Sequence, residues 1–313
     1  MAQDIWSTFG QTLNRHGYGF QSSVLNLAKK LFLEQRASPW RPLAREFPVE
    51  VQGKPTRIDI ILQYRNSGLF MVVECKRTDP KFGAWCFARA PSVKSGEPSE
   101  YILSDHLLYH DTVYDRETKG TTHMICTELQ RLWWPNRHRQ EDFYHIGCPV
   151  KGSNIGESGQ SGHDDIEKAA TQVCRGSNGL IELVRKKPDL VAPFSQGSWK
   201  GLTLVPAIFT TANIWGCNCD LGASRLEDGK VELSREDCSQ KKWVFLQYPI
   251  SPGIKHSAPA EGSGDHSQYP RGTFGHVLQD QYMRTIPIVT ATATGIEDFL
   301  STFNVEPYYT VPF

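Results

Sequence analysis

Between Gly19 and Phe32 the apolar residues Phe20, Val24, Leu25, Leu27, Ala28, Leu31 and Phe32 recur at three- and four-residue steps, the spacing of one face of an amphipathic helix. Pro39 and Pro42 follow and end it. The stretch EFPVEVQGKPTRIDIILQY then alternates apolar and polar positions on both sides of Gly53-Lys54-Pro55, which predicts two strands joined by a turn. The next run, GLFMVVECK, stays apolar until its last residues turn polar. Such a run fits a central strand, buried on both faces, whose end opens onto a cleft.

Residues 78–141 keep no steady period and are rich in Pro, Ser, Asp, His and aromatic residues, so they are expected to form an insertion with short helices. FYHIGCPVK predicts a further strand, and KGSNIGESGQSG a flexible link to a helix from about His163 to Lys187. On that helix Ile166, Ala169, Ala170, Val173 and Cys174 are the expected core positions. LTLVPAIFTTANIW and KKWVFLQYPI each predict a strand, with a second insertion at 216–241 between them. Residues 251–275 read as loop, and RTIPIVTATATGIEDFLSTF as a strand followed by a short helix. The order predicts an α/β fold, a mixed central β-sheet flanked by helices on both faces, built as one elaborated domain over residues 1–313.

Composition narrows the function. Thirty-four Lys and Arg balance thirty-four Asp and Glu, so nucleic-acid binding would have to rest on local patches. No window is long and apolar enough to cross a membrane, and MAQDIWSTFG has neither the basic head nor the apolar stretch of a signal peptide, so a cytoplasmic protein without membrane contact is expected. Eight cysteines in a chain of this length are read as reduced thiols. Cys217, Cys219 and Cys238, with His256 beyond, depart from the paired Cys-x-x-Cys knuckles of structural zinc sites, and are expected to be loop and core cysteines. The pairs His145/Cys148 and His123/Cys126 lack the surroundings of a nucleophile and its base.

Side chains alternate along a strand, which would put Arg57, Asp59 and Ile61 on one side of the first motif strand, and Glu74 and Lys76 on one side of the next. If those strands pair, the two acids meet. Two carboxylates at the mouth of a sheet suit Mg2+, a hard cation that completes its shell with waters and phosphate oxygens. A lysine beside them can orient water or stabilise charge on a phosphate. An isolated acid inside IDII, or after MVV, would be costly to bury without such a purpose.

The order Asp59, fourteen residues, then Glu74-Cys75-Lys76, behind an amphipathic helix, resembles the PD-(D/E)XK phosphodiesterase superfamily, which includes many restriction enzymes. The resemblance covers residues 18 to 80 and, in outline, 142 to 212. It implies a restriction-endonuclease-like fold, with a four-stranded mixed sheet flanked by helices. Asp59 and Glu74 would be metal ligands, the backbone carbonyl of Cys75 another, and Lys76 would act on the water nucleophile. Ile58 stands where the family name has proline, and Gln21 where many members carry a glutamate on the first helix. Gln172 is reminiscent of a glutamine that some members use after the motif strands, with Lys168 and Arg175 along the same helix.

The expected activity is therefore Mg2+-dependent hydrolysis of DNA phosphodiester bonds, with Mn2+ able to substitute, in a bacterial restriction or anti-phage defence setting. Gln21, Lys168, Arg175, Arg137 and Arg139 are the candidate nucleic-acid contacts, the last two beside the indoles of WWPNRHRQ. Cutting both strands implies a homodimer or a partner subunit. Two alternatives stand: an RNA substrate, because the metal chemistry is blind to the sugar, and a catalytically idle binding module, which Gln21 favours. Glu46 and Glu50 flank the first strand as possible third acids, although exposed edge charges explain them more simply.

Overall fold

The computed structural model describes residues 5–15, 17–65, 67–78, 83–89, 102–115, 120–133, 143–150, 163–187, 202–219, 221, 224, 227–249, 285–304 and 306–308. The chain begins with α1 (Ile5–Arg15) and α2 (Tyr18–Lys29), the latter continued by a π turn at Lys30–Glu34. Next come β1 (Trp40–Val51), β2 (Lys54–Tyr64), β3 (Leu69–Lys76), β4 (Ala84–Ala88), β5 (Ile102–Asp115), β6 (Gly120–Trp133), β7 (Phe143–Tyr144) and β8 (Ile146–Val150). The helix α3 (His163–Lys186) leads to β9 (Leu202–Thr210), β10 (Asn213–Cys217), β11 (Cys238–Lys241), β12 (Trp243–Pro249) and β13 (Thr285–Thr292). A short α4 (Ile296–Thr302) and β14 (Glu306–Tyr308) close the described chain.

The main sheet runs β1-β2-β3-β9-β13-β12-β7, with β5 joining β9, β6 joining β5 and β14 joining β6. The first three strands are antiparallel neighbours, whereas β9 lies parallel to β3 and β13 parallel to β9. The sheet is therefore mixed, with helices on both faces. Gln52 (φ 51°) and Gly53 (φ 76°) connect β1 to β2 in a two-residue turn with both central φ angles positive, the geometry that suits the twist of a hairpin.

One face of the sheet packs on α3. There Ile58, Ile61, Phe70, Val72, Leu204 and Ile208 meet Ile166, Ala169, Ala170, Val173 and Cys174, all five helix positions expected from the sequence. Glycine lets the helix lie close: a Cβ at Gly176 would stand 3.0 Å from Cγ1 of Ile58, and one at Gly179 2.6 Å from Cγ2 of Val49. On the other face Ile60, Leu62, Met71 and Val73 pack with Val24 and Ala28 of α2, with Leu31 of the π turn that continues it, and with Phe299 and Leu300 of α4. No helix among the described residues is long and apolar enough to cross a membrane.

Several elements differ from the pattern reading. No element is predicted before Gly19, yet α1 forms there, with Phe9 and Leu13 exposed. The segment 78–141 contributes β4, β5 and β6 where short helices were expected; the β5–β6 ladder, from Ile102↔Leu132 to Asp115↔Gly120, supplies backbone partners without any helical period. FYHIGCPVK breaks at His145, so that β7 joins the main sheet and β8 a second one. LTLVPAIFTTANIW breaks in the same way between β9 and β10. The second sheet, β11-β10-β4-β8, takes up both ends of the expected excursion at 216–241 as an antiparallel pair. The expected loop at 251–275, the link at 151–162, Arg137, Arg139 and His256 lie outside the described residues.

Candidate functional site

The site forms where the β2–β3 ladder opens. Pairing runs from Gln63↔Phe70 to Ile60↔Val73 and stops one step short of Asp59 and Glu74. There the Asp59 side chain takes over from backbone: its Oδ2 accepts a hydrogen bond from the Cys75 amide at 2.7 Å. The carboxylate thus satisfies a main-chain donor that the parting strands would leave orphaned.

The strict alternation expected through Asp59 does not hold. Ile58 and Ile61 both join the core beneath α3, while Ile60 joins the core beneath α2, so the side-chain sequence slips at Asp59. The register of β1 places Glu46 across from this point, between Arg45↔Ile60 and Phe47↔Ile58. Glu46 has φ 49°, a left-handed conformation that costs a residue with a Cβ about 1 kcal/mol or more and bends the strand. Along β3 alternation is regular. Phe70 and Val72 enter the α3-side core, Met71 and Val73 the α2-side core, and Cys75 packs against the latter.

Gln21, on α2, ties this together. Its Nε2 donates to Oε1 of Glu46 at 2.7 Å and to the main-chain carbonyl of Asp59 at 3.1 Å. Gln21 is only 5% exposed, with both amide hydrogens used, so it is an internal tie rather than the nucleic-acid contact expected from the sequence. Arg57 Nη1 holds the other Glu46 oxygen at 3.5 Å in a partly exposed ion pair. Glu46, kept in reserve by the sequence reading, belongs to the site. The signal available was its place opposite Asp59 across the hairpin, which follows from the unbroken register that runs from the Gln52-Gly53 turn to Ala44.

Charge is expensive here. Burial pushes the Glu74 carboxyl up to about 8, the neighbouring Asp59 charge adds to the rise, Lys76 works against it, and Glu46 adds a little more. Burial likewise raises Asp59 to about 6; the Cys75 hydrogen bond opposes this, Glu46 reinforces it and Lys76 opposes it. Asp59, Glu74, Glu46 and Lys76 therefore share one electrostatic field, with Glu74 only 8% exposed. The Cys75 thiol is raised well above its usual range by burial, then by Asp59, Glu74 and Glu46, so it is not a thiolate ligand. Its backbone carbonyl is the only ligand that position was expected to offer.

Among the described residues no three His, Cys, Asp or Glu side chains are arranged, as they stand, to hold a metal ion on their own. Two carboxylates are sufficient for Mg2+, which keeps several waters and shares phosphate oxygens of its substrate. Asp59 and Glu74, raised by burial to about 6 and about 8 in spite of Lys76, fit that cation chemically: it would supply positive charge that favours both carboxylates.

The remaining sequence candidates lie on α3. Gln172 and Lys168 are exposed and Arg175 half-buried, and the structure does not join Gln172 to Lys76. Gln172 precedes Gly176 by one helical turn, and Gly176 packs on Ile58 and Val72, the neighbours of the acid-bearing positions. Comparison with protein-family models, with curated proteins and with solved structures returns no match.

Proposed function

We propose that this chain is a Mg2+-dependent nuclease that hydrolyses DNA phosphodiester bonds, built on a restriction-endonuclease-like core. The observation that carries the proposal is the meeting of Asp59 and Glu74, with Lys76 beside them, at the one place where β2 and β3 part. The order α2, β1–β3, α3, β9, with two antiparallel pairings followed by a parallel one inside the larger sheet, supports it, because the motif resemblance implies a mixed sheet flanked by helices.

Asp59 and Glu74 would hold the cation, with the Cys75 carbonyl as a further oxygen donor. When bound, the ion lowers the pKa of a coordinated water and offsets charge on the leaving oxygen. Asp59 is fixed for this task by the Cys75 amide, and Glu46 by Gln21. Lys76, the last residue of β3, orients the attacking water and stabilises charge on the phosphate; its carbonyl is anchored by the Thr211 amide at 3.1 Å. Lys168, Gln172 and Arg175 on α3 would serve phosphate contact, as the motif resemblance suggests. A single such site per chain cuts one strand, so double-strand cleavage would require a second copy or a partner subunit. A role in restriction or anti-phage defence follows from the motif resemblance.

The test is incubation of wild type, Asp59→Ala, Glu74→Ala and Lys76→Ala with plasmid DNA, and separately with single-stranded RNA, in Mg2+ or Mn2+. Wild type should nick or cut the DNA and each variant lose at least a hundredfold in rate. Cleavage of RNA alone would transfer the same chemistry to the other substrate. Equal cleavage by all four proteins, or none by wild type, would reject the nuclease.

A further inference from the structure

The second sheet gathers cysteines that are far apart in sequence. Alternation along β4 buries Trp85 and Phe87 and leaves Cys86 on the opposite face. Along β10, Ile214 and Gly216 point inward, with Gly216 against the Tyr144 hydroxyl, leaving Trp215 and Cys217 on that same opposite face. Register completes the set: Cys86 lies across from Cys148 and beside Trp215, and Cys217 lies across from Cys238. Residues directly opposite in a ladder share a face, so four strands deliver four thiols to one surface. The contacts are tighter still. Cys217 Sγ and Cys238 Sγ stand 2.7 Å apart, and the Cys86 thiol is close enough to feel Cys238, Cys148 and Cys217 electrostatically. Cys219 acts on Cys217 from the loop that follows β10.

We propose that Cys86, Cys217 and Cys238 form a structural zinc site, completed by Cys148 or Cys219. The 2.7 Å separation is longer than a disulfide bond of about 2.05 Å and shorter than the roughly 3.8 Å between two thiolates of one tetrahedral zinc with Zn–S near 2.3 Å. The thiols as they stand do not surround a common point, so zinc binding would require side-chain rotations that part Cys217 from Cys238. A disulfide would employ two of the sulfurs and leave Cys86 and Cys148 facing it unused, whereas zinc takes four. The site also has a structural purpose. The strands of this sheet are four or five residues long, and Cys238 comes from the edge strand β11, so a bound ion would tie that edge to β10 and β4.

The experiment uses the whole chain purified under reducing conditions from zinc-supplemented medium. Elemental analysis should find about one zinc per chain, released on titration of the thiols with an organomercurial. Co2+ added to the stripped protein should give a near-ultraviolet thiolate-to-cobalt band together with visible bands of tetrahedral intensity. Cys86→Ser, Cys217→Ser and Cys238→Ser should each weaken Co2+ binding at least tenfold, while Glu74→Gln leaves the band unchanged, which separates this site from the proposed nuclease centre. If a serine variant fails to fold, the metal content and cobalt spectrum of wild type decide. Absence of zinc with no thiolate band, or a Cys217–Cys238 disulfide in the mass spectrum of the unreduced protein, would overturn the proposal.

Discussion

A glutamine amide has two hydrogens to give, and at position 21 one goes to Glu46 and the other to the Asp59 carbonyl. Gln21→Leu removes both bonds, leaves two part-buried acceptors without that donor, and frees Glu46 from α2. The expected cost is about 1–3 kcal/mol in urea unfolding. Glu74 makes a second prediction through its proton. In the folded chain its carboxyl keeps the proton up to about pH 8, whereas the unfolded chain releases it near 4.5. Below that lower value both states are protonated and the shift has no effect; between the two values the folded state alone holds the proton, so stability falls as pH rises, and above about pH 8 the loss is complete. Unfolding midpoints measured without divalent metal from pH 4.5 to 8.5 should decline with pH in wild type, and decline less in Glu74→Gln. Parallel curves for the two proteins would contradict the assignment.

At the scale of elements, α3 carries the largest share of the argument, because it spans the first three strands and fixes the bend at Asp59 from one side. Its approach depends on two missing side chains. A Cβ at Gly179 would sit 2.6 Å and 2.8 Å from two Val49 atoms, so Gly179→Ala forces helix and sheet apart and should cost about 1–3 kcal/mol, despite the better helix propensity of alanine. The urea midpoint should drop with an unchanged m-value. The paired expectation is that Gly53→Ala is also destabilising, but through backbone strain at φ 76°, with no neighbour within 4 Å to clash.

For the whole molecule, what matters most is that Glu74 and Lys76 lie at the end of β3, beyond which the chain enters the second sheet. The second sheet hangs from the ends of β3 and β9: the Thr78 amide donates to Oγ1 of Thr211 at 3.0 Å, and the Asn213 amide to the Gly83 carbonyl at 2.7 Å. Lys76 sits at that junction, so ligand binding at the acids should be felt by the entire fold. Mg2+ at one hundred times its dissociation constant should stabilise wild type by about 2.7 kcal/mol, and Glu74→Gln by far less. Since the cation displaces protons held by Asp59 and Glu74, the thermal shift should grow from pH 6 to pH 8. A shift that ignores Glu74, measured by calorimetry, would detach the metal from this site.

The sequence by itself determined the elements whose polarity pattern is local: the α2 face with Val24, Ala28 and Leu31, the β1–β2 hairpin about Gly53, the apolar β3, and the inward face of α3. It also located Asp59, Glu74 and Lys76, because an acid embedded in an apolar strand is costly wherever that strand goes. Only the tertiary structure decided the rest. Glu46 enters the site with a positive φ that no period announces, and Gln21 turns inward because the partner it meets lies twenty-five residues away. The cysteines of the second sheet meet for the same reason: strand pairing between distant segments is fixed by the global packing of backbone donors and acceptors, and local spacing carries no record of it.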